Sequence, residues 1–284
     1  MNDMPSSPLI ALITDFGEND PFVGIMKGVI SKISPGLELI DITHNIPPGD
    51  IQRAAIMLWQ SKPYFPPGSI FLTVVDPGVG TSRRGLIAFS DDHIYVGPDN
   101  GLFTFVLDTS SEQWELENRE YQLPHPGTTF HGRDIFAPAA AYTAKGIFGS
   151  EFGPVITDIL RLPKPHFRLS PHQIQGEILY KDRFGNLLTS LGKFTSLDQM
   201  TFEIEPWLDV EPKLSGKIRI SRAQASILLA DGRILSWVDT FADLQDDECG
   251  ILLGSSGLLE ISANQNSAAD LLSLSSGEHI TLKF

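Results

Sequence analysis

The first 75 residues of this 284-residue chain constrain its fold more than any other segment. Three short apolar runs, LIALI (9–13), LELIDI (37–42) and SIFLTVV (69–75), are separated by two helix-length segments. The first segment opens at Asp20-Pro21, read as an N-cap followed by proline at the first helical position. Its apolar face is Phe22, Met26, Val29, Ile30 and Ile33, at helical spacing, and Pro35-Gly36 ends it. Asp50 caps the second, with Ile51, Ala54, Ala55 and Leu58 inward and Pro63 beyond its end. Strand, helix, strand, helix, strand in this order predicts a parallel sheet covered by helices. Such sheets hold ligands at the carboxyl ends of their strands. Asp15 and Asp76 sit at the ends of two of the three runs.

Beyond residue 85 the pattern changes. Residues 85–121 read as shorter strands around the turn Gly97-Pro98-Asp99-Asn100-Gly101, and residues 135–146 as a helix despite Pro138. The stretch LPKPHFRLSP (163–172) lacks periodicity and reads as a linker. After it the chain is β in character: GEILYKD, NLLTSL, KIRIS, ASILLADGRILSWV, CGILLGSSGLLEIS and HITLKF. Asp231-Gly232 between two apolar runs is a hairpin signal, and NSAADLL (266–272) a single short helix. The predicted class is α/β, with an N-terminal α/β domain (1–165) built on a mostly parallel central sheet. A smaller C-terminal all-β, barrel-like domain (166–284) follows it.

Composition narrows the partners. There are 35 acidic against 21 basic residues, a net charge of −14, which argues against nucleic acid or an anionic membrane surface as the main partner. One cysteine, Cys249, rules out an intrachain disulfide framework and a cysteine-rich zinc site, and fits a reducing, cytoplasmic setting. The N-terminal run has no Lys or Arg before it and carries Asp3, a poor signal peptide, and no run of about 18 apolar residues predicts a membrane span.

Five segments concentrate side chains able to do chemistry. TDFGENDPF (14–22) carries Asp15 and Asp20. VVDPGVGTSRR (74–84) packs a carboxylate, a glycine turn and two arginines, without the spacing of a phosphate-cradling P-loop. TFHGRDIFAP (129–138) crowds His131, Arg133 and Asp134 into a loop before a helix, where a histidine with a carboxylate could orient a water. KDRFGN (181–186) sets Asp182 and Asn186 about a glycine turn, and the 239–261 segment holds Phe241 and Ser255-Ser256. Each also has a plain structural reading as a cap, an ion pair or a turn. There is no Gly-x-Ser-x-Gly elbow and no His-Glu-x-x-His helix, and the seven histidines are sparse for a metal site. Composition and spacing reach an enzyme with an acid-lined small-molecule site and stop short of its reaction.

The ordered motifs ITDFGENDPFVGIMKGVI, DITHNIPPGDIQRAA, YFPPGSIFLTVVDPGVGTSRR, VGPDNGLF, TFHGRDIFAPAAA, DRFGNLLTSL and LLGSSGLLEI span nearly the whole chain. Together they resemble the S-adenosylmethionine (SAM) hydroxide adenosyltransferases, the adenosine-forming SAM hydrolases related to the fluorinating and chlorinating enzymes. The resemblance implies hydrolysis of SAM to adenosine and L-methionine without cofactor or metal. It also implies a homotrimer whose active sites lie between the N-terminal domain of one subunit and the C-terminal domain of its neighbour. The family's Asp–Arg–His set falls on Asp76, Arg83 and His131. Arg83 rather than Arg84 lies at the family's spacing of seven residues from the aspartate. Asp15 matches the acid that binds the ribose diol, and Asp20 and Asp182 match acids near the methionine ammonium. Asn186 matches the amide that reads adenine, Phe241 the aromatic beside it, and Ser255 the hydroxyl near the methionine carboxylate.

Departures from the halogenating branch separate the activities. That branch has Tyr where this chain has Asp76, Thr where it has Val79, Tyr-Ser where it has His131-Gly132, and Trp in the segment holding Pro48-Gly49. An anionic Asp76 repels halide and accepts a hydrogen bond from water, so the resemblance favours the hydrolase. On this reading Asp76 and His131 orient the water and take its proton, and Arg83 fixes Asp76. The competing readings are a halide-using 5′-halo-5′-deoxyadenosine synthase, a metal-dependent hydrolase built on Asp76, His131 and Asp134, and a non-catalytic adenosine or SAM sensor.

Overall fold

A computed structural model describes residues 8–206 and 218–284 of the protein; Asp3 and Lys217, used in the sequence reading, lie outside them. The chain divides into two compact units, Met1–Leu162 and Pro163–Phe284. No helix among the described residues is long and apolar enough to cross a membrane.

The first unit is built on six strands: β1 (Leu9–Thr14), β2 (Glu38–Thr43), β3 (Ile70–Val74), β4 (Gly85–Ser90), β5 (His93–Pro98) and β6 (Glu112–Glu115). Their order is β2-β1-β3-β5-β4-β6. β1 runs parallel to β2 and β3, and β3 parallel to β5, while β4 is antiparallel to both β5 and β6. The reversal comes from a tight β4–β5 hairpin at Asp91-Asp92, both with positive φ (48° and 62°).

Helices on both faces explain why β1 is buried along its whole length. Ile10 and Leu12 pack with Met26 and Ile30 of α1 (Phe22–Ile33) and with the alanines of α3 (Ala137–Ala144). Leu9, Ala11 and Ile13 point the other way, toward Ala54 and Leu58 of α2 (Ile51–Ser61). Period-2 alternation in the strand thus feeds two separate cores.

Asp50 caps α2 as expected, accepting the Arg53 amide at 3.0 Å. The start of α1 differs from expectation. Pro21 holds the N-cap position, no side chain caps the helix, and Asp20 is exposed. The inward face is Val23, Met26 and Ile30, and Phe22 is 41% exposed. Pro138 sits in the first turn of α3. That helix continues from a π-helical turn, Gly132–Phe136.

Among the described residues the second unit pairs its named strands antiparallel, with one isolated parallel bridge, Trp237–Ile251. Its strands are β7 (Phe167–Ser170), β8 (Gln173–Lys181), β9 (Leu187–Ser196), β10 (Thr201–Glu205), β11 (Ile218–Ser221), β12 (Ser226–Leu229), β13 (Ile234–Leu235), β14 (Cys249–Leu253), β15 (Leu258–Ala263) and β16 (His279–Lys283). The path runs β11-β10-β9-β8-β16-β12-β13, with β15 joining β9 and β14 joining β15. Residues just after β13 then pair with β14: Ile251 donates to the Ser236 carbonyl at 2.9 Å, and Val238 to the Ile251 carbonyl at 3.1 Å. This closes the circuit of strands around an aliphatic core of Ile178, Leu191, Ile227, Ile251 and Ile261. Register shifts in the β8–β9 and β9–β15 pairs give the curvature that closure needs. The 163–172 stretch is not merely a linker, because β7 within it pairs with β8. The short helix at 266–272 is present as α5 (Ala268–Leu272), and Asp231-Gly232 forms the β12–β13 hairpin.

Replacing Asp50 with Ala removes the acceptor of the Arg53 amide and is expected to cost about 1 kcal/mol in urea unfolding. Gly97→Ala drives a Cβ to 2.2 Å from the Thr73 carbonyl and is expected to cost at least about 2 kcal/mol by the same measurement.

Candidate active site

The carboxyl ends of β1 and β3 deliver Asp15 and Asp76 to one edge of the sheet. Asp15 Oδ2 accepts the Gly49 amide at 2.9 Å, which ties the end of β1 to the loop before α2. Burial raises the pKa of Asp15, the Gly49 amide opposes that rise, and the charge on Asp76 adds to it. Gly49 has a φ of +76°, so glycine suits the turn that aims its N–H at this carboxylate.

Asp76 is held by Arg83. Arg83 Nε donates to Asp76 Oδ1 at 3.0 Å and Nη2 to Oδ2 at 2.6 Å, a bidentate pair with side chains only 5% and 7% exposed. Arg83 Nη1 donates to the Arg84 carbonyl at 2.7 Å, and its guanidinium lies over the Phe136 ring at 5.2 Å. Nη2 also reaches His131 Nδ1 at 3.0 Å. A guanidinium can only donate, so Nδ1 is the acceptor and the ring proton sits on Nε2. Burial lowers the His131 pKa, and the Arg83 charge lowers it further. Asp76, Asp134 and the Gly127 backbone pull weakly the other way. The neighbouring Arg84 serves a different purpose, pairing with Asp99 at 2.7 Å and Asp158 at 2.8 Å.

His131 is placed by the loop before the π-helical turn. Asp134, almost fully buried, accepts the Gly127 amide at 2.8 Å and Arg133 Nε at 2.6 Å. Gly132 is tightly packed: a Cβ there would lie 3.2 Å from Met26 Sδ and 3.2 Å from the Phe130 ring, so these side chains would have to yield by a few tenths of an ångström. Phe16, Phe22 and Phe130 form an edge-to-face cluster with centroids 5.3–5.9 Å apart, so the exposed Phe22 belongs to this cluster rather than to the core.

Arg83 already supplies the positive charge between Asp76 and His131, and Asp134 is taken up by Arg133 and Gly127. Among the described residues no three His, Cys, Asp or Glu side chains gather closely enough to share an ion.

In the second unit, Asp182 and Asn186 lock the β8–β9 turn. Asp182 Oδ1 accepts the Phe184 and Asn186 amides at 2.8 and 2.9 Å, and Oδ2 accepts Asn186 Nδ2 at 2.9 Å. Asn186 and Phe241 line one cavity of about 690 Å³ with Phe184, Asn264, Gln265 and Asn266. Aromatic faces beside side-chain amides suit a planar heterocycle with polar edges. Ser255 sits exposed at the tip of the β14–β15 hairpin. Burial and the Asp182 charge raise the pKa of Glu260, whose carboxylate fills the space a Cβ on Gly254 would need.

The structure therefore joins Asp76, Arg83 and His131 in one network, with Asp15 in electrostatic range of Asp76. It joins Asp182 with Asn186, and Asn186 with Phe241. Asp20 and Ser255 join neither network. Sequence reasoning missed the Gly49 amide, the amide-bearing Asn264–Asn266 run and His44. The Asp41-x-x-His44 spacing in DITHN was the available signal for the last of these.

Residues 10–153 match the SAM hydroxide adenosyltransferase N-terminal domain, and residues 176–281 match its C-terminal domain. A Salinispora tropica protein named (R)-S-adenosyl-L-methionine hydrolase is 36% identical over 98% of both chains. A Thermus thermophilus protein of the same name is 36% identical over 96% of this chain and 98% of its own. A fluorinase from an Actinoplanes species is 27% identical over 98% of this chain and 99% of its own. An uncharacterized conserved protein from Thermotoga maritima has a crystal structure that matches with a TM-score of 0.80 at 30% identity, covering 97% of this chain and all of that one. The chain belongs to the SAM hydroxide adenosyltransferase family.

Proposed function

We propose that the protein hydrolyses SAM to adenosine and L-methionine, with water attacking ribose C5′ in line and opposite the sulfonium. The observation that carries this reading is the buried Asp76–Arg83–His131 network, whose anionic Asp76 carboxylate repels a halide and accepts a hydrogen bond from water. The reaction balances simply. The water oxygen forms a bond to C5′, the C5′–S bond breaks with its electrons going to sulfur, and one proton is released. Methionine leaves as a neutral thioether, so neither a general acid nor a metal is required of the protein.

The hydrogen-bond directions divide the work between Asp76 and His131. With Nδ1 accepting from Arg83, His131 has a donor at Nε2 and no free lone pair. It holds the oxygen of the nucleophile, and Asp76 accepts the proton. Neutralisation of hydroxide by a sulfonium is favoured in a site that excludes water. In this reading Asp15 binds the ribose diol, and Asp20, Asp182 and Ser255 bind the methionine portion. The cavity at Asn186 and Phe241 takes adenine. The protein acts as a cytoplasmic homotrimer, a state supported by the family resemblance and measurable by light scattering.

Product analysis by chromatography with mass detection tests the activity, each sulfonium epimer being supplied separately because the named relatives specify the (R) form. Adenosine and methionine are expected, with turnover unchanged after exhaustive chelation or in excess chloride. A chlorinated nucleoside, or loss of activity on chelation, contradicts the reading. Asp76→Asn is expected to lower kcat by about 10²–10⁴-fold while adenosine affinity stays near wild type.

The pH profile tests the histidine's role. His131 must be uncharged, and its pKa is lowered from 6.5, so the needed form persists as pH falls through 6.5 and is lost only below it. A rate that stays level from pH 8 to below 6.5 is expected; an acid limb centred above 6.5 that disappears in His131→Gln contradicts the assignment.

A further inference from the structure

Behind Asp15 lies a chain of side chains that the proposed chemistry does not use. His44 is 4% exposed and bridges two strands. Its Nε2 faces Asp41 Oδ1 at 3.0 Å, and its Nδ1 lies 2.9 Å from Thr14 Oγ1. The other Asp41 oxygen takes Lys27 Nζ at 2.5 Å, which balances the carboxylate's charge. Nε2 is within ion-pair range of the carboxylate without an aligned hydrogen bond; with the ring proton on that side, Nδ1 accepts the Thr14 hydroxyl proton, and Thr14 Oγ1 in turn accepts the Phe16 amide at 3.3 Å.

The backbone follows the same seam. The Gly17 amide donates to the His44 carbonyl at 2.8 Å, and the Ile46 amide to the Thr14 carbonyl at 3.4 Å. Both partners of the Asp15–Gly49 hydrogen bond are therefore held by this clamp. Asp15 sits between Thr14 and Phe16, which share one hydroxyl, and Gly49 follows the segment anchored at His44 and Ile46. Thr14 is wholly buried, so its hydroxyl cannot turn to water if His44 is lost. β1 and β2 shift register between Leu12 and Ile13, where the strands reach this seam, so ladder bonding alone does not set the geometry there.

We propose that Asp41, His44 and Thr14 form a positioning relay that sets the aim of Asp15, and thereby the protein's selectivity for an intact ribose diol. The inference rests on the reading of Asp15 as the diol-binding acid. None of the three touches substrate; each acts through the Thr14–Gly17 segment.

Calorimetric binding of adenosine and of 2′,3′-dideoxyadenosine tests it on the full-length protein, with wild type, His44→Gln, Thr14→Val and Thr14→Ser compared. Wild type is expected to favour adenosine by at least about tenfold, as a hydrogen bond from substrate to a charged group implies. The ratio should collapse toward one in His44→Gln and Thr14→Val through weaker adenosine binding, with dideoxyadenosine affinity unchanged, and should return in Thr14→Ser. Steady-state kinetics should show KM for SAM raised more than kcat is lowered. A general structural role would weaken both nucleosides alike. An undiminished ratio in a folded Thr14→Val protein overturns the relay, even if His44→Gln does not fold. A wild type that binds both nucleosides equally instead overturns the assignment of Asp15, and the relay with it.

Discussion

The Arg83 guanidinium is the contact on which the catalytic arrangement rests. It is nearly buried, and an unpaired charge there would cost several kcal/mol, on the order of what a whole domain has in reserve. Its Nε and both terminal nitrogens are therefore engaged, two on Asp76, one on the Arg84 carbonyl and one shared with His131 Nδ1. The same bonds that satisfy the charge determine the chemistry. They orient Asp76, and they fix the imidazole as a donor at its far nitrogen. Lysine would keep the charge but lose the planar fork that makes these contacts at once.

The fold delivers the pieces without strain. Parallel strands end on one edge of the sheet, so Asp15 after β1 and Asp76 after β3 arrive together although about sixty residues separate them. Arg83 returns to Asp76 through a short glycine-containing turn, and His131 is brought in by the wide turn that begins at Gly132. Close packing of Met26 and Phe130 on that glycine couples the apolar core beneath α1 to the placement of the imidazole. The second unit follows a different logic: hairpin turns at Asp182–Asn186 and residues 254–257 display polar groups on a closed β frame.

The legible part of this protein was what local pattern controls. The alternating apolar runs announced the parallel strands, Asp50 announced its helix, and Asp231-Gly232 its hairpin. The Asp–Arg–His set came from family resemblance, and the structure supplies the contacts among them. What escaped was decided by tertiary packing. Phe22 has helical core spacing, yet it joins Phe16 and Phe130 in an aromatic cluster at the edge of the core. Asp20 looked like a cap, but the helix begins one residue beyond Pro21. β7 and β10 are short, and β7 follows a proline-rich stretch that reads as linker until β8 is beside it. His44 was not singled out, because its partner Thr14 lies thirty residues away on β1.

The central claim is that Asp76 and His131 direct water, rather than an anion, onto C5′ of the sulfonium substrate. Turnover of SAM in ¹⁸O-labelled water, with the adenosine product analysed by mass and fragmentation, tests it most directly. The account predicts one ¹⁸O per adenosine, at the 5′ oxygen. Adenosine without label, or intact SAM beside a folded protein that binds adenosine, would contradict it.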